Sequence, residues 1–173
     1  MPSSTSRPMA EPAGIRRASP PPRHAHGLLD TSVILDHHIV DPAQLPDDSA
    51  ISSITLAELA AGPHATVSDD ERARRQDRLQ WASTTWDALP FDVEASRAYG
   101  RVFAASRAAG RSSRTRLADL LIASVAMANE LPVYTRNPSD LEGLEELVAV
   151  VTVLAAGVAA EGLSVEFIAL DRS

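Results

Sequence analysis

The chain of 173 residues contains no cysteine and no lysine. Without cysteine there is no disulfide framework, no thiolate metal site and no cysteine nucleophile, and the cytoplasm is the expected setting. Without lysine there is no P-loop phosphate cradle, no Schiff-base chemistry and none of the phosphate-contacting lysine that phosphoaspartate enzymes use. All 16 basic residues are arginine. Long apolar runs are missing too. The richest, Leu147 to Ala160, is broken by Thr152 and Gly157 and falls short of the about 20 residues a membrane helix needs. Arg16-Arg17 is followed by a run of prolines instead of an apolar core, so no export signal is read there.

The length suits one domain with a real core. Residues 1 to 26 hold six of the 12 prolines and almost no large apolar side chains, and are expected to form a disordered leader. From Gly27, short apolar runs alternate with segments of helical period, the pattern of βα units around a parallel sheet. Strands are expected at Gly27–Leu29, Ala50–Ile54, Ala88–Phe91, Leu131–Tyr134 and Val148–Val153. Helices are expected from near Val33 and at Thr55–Ala61, Asp69–Thr85, Val93–Ala109 and Leu117–Asn129. The domain therefore spans 27–153, and 154–173 is an extension readable as an extra helix and strand or as a loose tail.

Formal charge is −7, yet six arginines and no acid lie between Arg97 and Arg116. A basic stretch of this kind can hold phosphates beside an acidic site, or an acidic partner. Arg72, Arg74, Arg75 and Arg78 alternate with acids and read as a solvated helix face. His37-His38 reads as a solvated pair, because helix neighbours point about 100° apart. Trp81 and Trp86 read as core or dimer-interface anchors, and Asp92 as the cap of the helix from Val93.

Four acids stand out. Asp30 ends the first strand, where ligands gather in parallel sheets, and can equally cap the following helix. Glu58 closes a Thr55-x-x-Glu58 pattern that, taken alone, is a capping box. Asp119 opens a helix amid aliphatic residues, which is costly unless the charge is paired or bound to metal. Asp140, in a proline-containing turn, follows another strand. Brought together, four carboxylates would repel and take up protons unless a divalent cation neutralised them, and hard oxygen donors suit Mg²⁺ or Mn²⁺.

Leu-Asp-Thr-Ser at 29–32, Thr-Leu-Ala-Glu-Leu at 55–59, Arg-Leu-Ala-Asp-Leu-Leu-Ile-Ala at 116–123 and Thr-Arg-Asn-Pro-Ser-Asp-Leu at 135–141 resemble, in order, the motifs of PIN-domain ribonucleases, especially VapC-type toxins. The resemblance covers about Gly27 to Val151. It implies a three-layer α/β/α sandwich with a central parallel sheet, and an endoribonuclease in which Asp30, Glu58, Asp119 and Asp140 hold Mg²⁺ or Mn²⁺. Thr31, Ser32, Thr135 and Asn137 would support them, and cleavage would leave a 5′-phosphate. A homodimer and a small VapB-like antitoxin are implied as partners. Arg107, Arg111, Arg114 and Arg116 are taken as the RNA contacts. The leader and tail exceed the usual compact domain, and Leu141 stands where an aromatic is common. Rival readings are a catalytically silent RNA- or protein-binding PIN module and a haloacid-dehalogenase-like phosphohydrolase. The latter needs an aspartate where Ser32 stands.

Overall fold

The computed structural model describes residues 24–111 and 116–156. Its four strands, β1 (His26–Leu29), β2 (Asp48–Ala50), β3 (Val133–Thr135) and β4 (Val150–Thr152), make one parallel sheet in the order β2-β1-β3-β4. Five helices connect or follow them: α1 (Thr31–Leu35), α2 (Ser53–Ala61), α3 (Asp69–Thr85), α4 (Val93–Ala108) and α5 (Leu117–Ala128).

Period-two alternation splits the strands' side chains between two cores. Leu28 and Val133 enter one core with Ala50 and Val150 packed against it, and it is covered by Ala95 and Val102 of α4 and Leu120, Ala123 and Ala126 of α5. Leu29, Ile51 and Tyr134 face the other core with Val151, against Val33 and Ile34 of α1, Leu59 of α2 and Ala82 of α3. Helices thus lie on both faces, and the expected α/β/α sandwich is the observed fold. Trp81 and Trp86 pack against the second core, edge to face with ring centroids 5.0 Å apart. A Cβ at Gly27 would fall 2.5 Å from the Tyr134 ring, so only glycine lets that ring lie over β1.

The local start signals act as their chemistry requires. Ser68 accepts from Glu71 N at 3.3 Å and Asp92 from Ala95 N at 2.9 Å, each satisfying an orphan helix donor. Gly110, with φ +72°, follows the last residues of α4 in the left-handed conformation glycine favours.

One expectation changes. Ala88–Phe91 is no full strand: Leu89 makes a single parallel bridge to Ser52 beside β2. Pro90, having no N–H, cannot extend that ladder. Ahead of residue 27, His26 opens β1 and His24 Nδ1 lies 3.0 Å from the Tyr134 hydroxyl. Contacts also continue just past 153. Leu154 N donates to Gln44 Oε1 at 2.8 Å, and Ala155 bridges Val40. The rest of the expected leader and extension, 1–23 and 157–173, lies outside the described residues. Among those described, no helix is long and apolar enough to cross a membrane.

Candidate active site

In the order β2-β1-β3-β4 the chain leaves β1 towards one side for β2 and later returns to its other side for β3. The crevice past the carboxyl ends of β1 and β3 is therefore the switch point at which open parallel sheets bind ligands. Asp30 follows β1 there, and Thr135 ends β3.

Asp30 is 9% exposed. Its Oδ2 accepts from Ser32 Oγ at 2.6 Å and from Thr135 Oγ1 at 2.8 Å. The direction of these bonds is set by the backbone. Arg136 N donates to Ser32 Oγ and Asn137 N to Thr135 Oγ1, both at 3.0 Å. Each hydroxyl, already accepting from an N–H, turns its proton to the carboxylate. Both bonds fall on Oδ2, and among the described residues none falls on Oδ1. Asp30 precedes α1 but its side chain makes no capping hydrogen bond, so the capping alternative is not what the structure adopts.

The capping box at Thr55 and Glu58 is not formed either. α2 starts earlier, with Ser52 Oγ accepting from Thr55 N at 3.0 Å, and Glu58 consequently sits within the helix. Its Oε2 accepts from Thr31 Oγ1 at 2.6 Å, which ties α2 to the start of α1 beside Asp30. Asp119 lies in the first turn of α5. Asp140 lies in a short 3-10 turn, Pro138–Leu141.

Asp119 lies near enough to the other three acids to feel their charge. Its pKa is pushed up to about 7, first by burial and then by the charges of Asp30, Asp140 and Glu58, against an opposing pull from Arg116. Like charges held this close favour uptake of a proton or of a cation. As the side chains stand, no three His, Asp or Glu groups among the described residues converge on a single ligation point. The donors are all hard oxygens, the set that a small divalent cation prefers.

The PIN domain family model matches residues 27–147. The chain belongs to the PIN-domain family. It is 38% identical over 116 residues to Ribonuclease VapC5 of Mycobacterium tuberculosis, covering 65% of this chain and 84% of the relative. It is 32% identical to VapC ribonuclease Y4jK of Sinorhizobium fredii, covering 66% and 89%. Among solved structures it resembles that of VapBC-5, a member of the VapBC family of toxin-antitoxin systems from M. tuberculosis. The TM-score there is 0.64 and the identity 36%, over 73% of this chain and 95% of that one. FitAcB from Neisseria gonorrhoeae aligns at TM-score 0.57 and 27% identity, over 71% and 94%.

Within this PIN domain the arginines expected to contact RNA divide. Arg107 is exposed on the last turn of α4, and Arg114 lies outside the described residues. Arg111 is ion-paired with Glu142. Arg116 is a correction: it is only 7% exposed and turned inward. Its Nε donates to the backbone carbonyl of Asp140 at 2.6 Å, and its Nη2 donates to that same carbonyl and, at 3.4 Å, to the carbonyl of Glu142. Its task is to clamp the Asp140 turn. Asn137 supports the site through its backbone N–H, its side chain being exposed.

Sequence reasoning missed the amide cradle of residues 136 and 137, because backbone N–H groups carry no residue signature. It also missed a cleft of about 490 Å³ whose lining includes Thr31, Asp36, Glu58, Arg75 and Arg78. This cleft brings α3 to the edge of the carboxylate site. The i, i+3 and i, i+4 spacing of acids and arginines on α3 resembled an ordinary solvated face. Most of that face is one: Arg72 pairs with Asp69, and Arg74 and Arg75 with Glu71. The exposed His37 stacks on Trp81, with ring centroids 4.1 Å apart.

Proposed function

We propose that this protein is an endoribonuclease toxin that uses Mg²⁺ or Mn²⁺ to hydrolyse RNA phosphodiester bonds. The observation that carries this reading is the placement of Asp30, Glu58, Asp119 and Asp140 about the sheet's switch point, near enough for the other three to act on the charge of Asp119. A site that stores so much negative charge fits a divalent cation and repels an RNA backbone without one. Asp30, Glu58, Asp119 and Asp140 would hold the ion. Bound there, it supplies an activated water and offsets the charge that develops on the phosphate. The protein's own groups prepare that chemistry. Ser32 and Thr135 fix the plane of the Asp30 carboxylate, Thr31 fixes that of Glu58, and Arg116 fixes the turn bearing Asp140.

Kinship to proteins named VapC ribonucleases supports RNA as the substrate. The solved toxin-antitoxin relative supports pairing with a small VapB-like antitoxin; a cytoplasmic setting and a homodimer complete the reading. The intact four-acid arrangement favours catalysis over a silent binding module.

The test is to incubate the purified, antitoxin-free protein with total RNA and Mg²⁺ or Mn²⁺. Cleavage is expected, and its loss with chelator or with Asp30→Asn. Cleavage that persists in chelator would sink the metal mechanism, and a folded protein that binds metal but leaves RNA intact would favour the binding module.

Thr135→Val removes one donor to Asp30 and the acceptor of Asn137 N at nearly constant volume. Supporting groups of this kind are worth about 10- to 100-fold in metal affinity. Calorimetric titration with Mn²⁺ should show a weakening of that size, and an unchanged affinity would mean that the hydroxyl does not orient Asp30.

A further inference from the structure

Charge pairing inside the α1–α2–α3 cleft is uneven. Asp36 pairs with Arg136 Nε at 2.7 Å. Glu71 is answered twice, by Arg74 at 3.2 Å and by Arg75 at 2.7 Å. Arg75 is committed further, donating to the Gly62 carbonyl at 3.0 Å. Glu58 accepts from Thr31 and takes part in the carboxylate site. Arg78 also lines the cleft and is part-buried, yet among the described residues it has no hydrogen bond and no ion pair. A guanidinium in such a position keeps its fork of donors for a ligand, and that fork matches the oxygens of a phosphate.

We propose that Arg78 holds a backbone phosphate of the RNA strand as the strand runs from the carboxylate site into the cleft between α1, α2 and α3. The contact is sequence-independent, because it reads phosphate and no base edge. It places the strand's path along α3, away from the Arg97–Arg116 stretch that the sequence favoured. Cleft and charge are continuous here: Thr31 and Glu58 form the wall shared by the catalytic crevice and the cleft. The inference rests on the ribonuclease reading above.

The experiment measures binding of a fluorescein-labelled single-stranded RNA of mixed sequence to the full chain carrying Asp119→Asn, which prevents cleavage. Arg78→Gln in that background should weaken binding about 5- to 30-fold and lower the salt dependence by about one phosphate contact. Arg78→Lys should recover part of the loss, because the charge remains. Arg74→Gln, outside the cleft on the same helix, should leave affinity within about twofold, and thermal unfolding should show all three folded. If the parent binds RNA and Arg78→Gln binds equally well, this inference falls while the ribonuclease reading stands. If the parent neither binds RNA nor, with Asp119 restored, cleaves it with Mg²⁺ or Mn²⁺, both fall. If Arg78→Gln loses affinity for a polyglutamate peptide but not for RNA, the cleft serves an acidic protein and the inference is overturned.

Discussion

Asp119→Asn is expected to lower RNA cleavage by about 10³-fold and, at the same time, to stabilise the metal-free protein above neutral pH. The two effects share one cause. In the folded protein the carboxyl titrates at about 7, raised from 3.8 by burial and by Asp30, Asp140 and Glu58. A folded-state pKa above the unfolded one means that the native state binds the extra proton. The stability this proton contributes is fully present below about pH 4 and is lost as pH rises through 7. At pH 8 the wild-type domain therefore carries the full cost of an ionised, crowded carboxylate. Asparagine removes that cost, on the order of 2 kcal/mol once screening at this partly buried site is allowed for. Thermal melts in chelator at pH 5 and pH 8 check it. The wild type should lose stability between them, and the variant should lose less and exceed the wild type at pH 8. Equal pH dependence in both proteins would show that Asp119 is not the strained group. Saturating metal should reverse the order at pH 8, since only the wild type retains the ligand.

Arg116→Met should destabilise the fold by about 3 kcal/mol, and should lower the melting temperature by roughly 10 °C for a domain of this size. The side chain is buried, and its guanidinium serves the carbonyls of Asp140 and Glu142. Truncation leaves those carbonyls without their donor and frees the turn that positions Asp140. Arg116→Lys should recover little, because a single ammonium cannot reproduce a planar fork spanning two carbonyls. Metal affinity should fall with stability, because the freed turn no longer holds Asp140 in place. The contrary result is clear-cut: a variant of native stability whose RNA binding loses salt dependence would make Arg116 a phosphate contact after all.

The difference between Arg116 and Arg78 illustrates what a linear reading could and could not judge. Arg116 belongs to a run of arginines free of acids, so it looked available. Burial took it out of solvent. Arg78 belongs to a helix of alternating charges, so it looked satisfied. Its neighbours' pairings leave it over, a result that depends on which rotamers and which helices meet. Glu58 shows the same limit in reverse. The Thr55-x-x-Glu58 spacing is a sound capping signal, but Ser52 starts the helix first, and Glu58 is left to a hydroxyl from α1.

The sequence by itself determined the layer architecture, because period-two and period-3.6 apolar patterns decide which residues a strand or helix can bury. Helix starts at Ser68 and Asp92, the glycine-terminated end of α4 and the four acids were legible for the same reason: each is set by local chemistry within a few residues. Only the tertiary structure decided how those acids act together. The strand order that sets β1 beside β3 joins Asp30 to Thr135 across 105 positions, and a pKa near 7 at Asp119 comes from charges that converge only in space. Burial and through-space fields depend on distance in three dimensions, and neither is a property of sequence spacing.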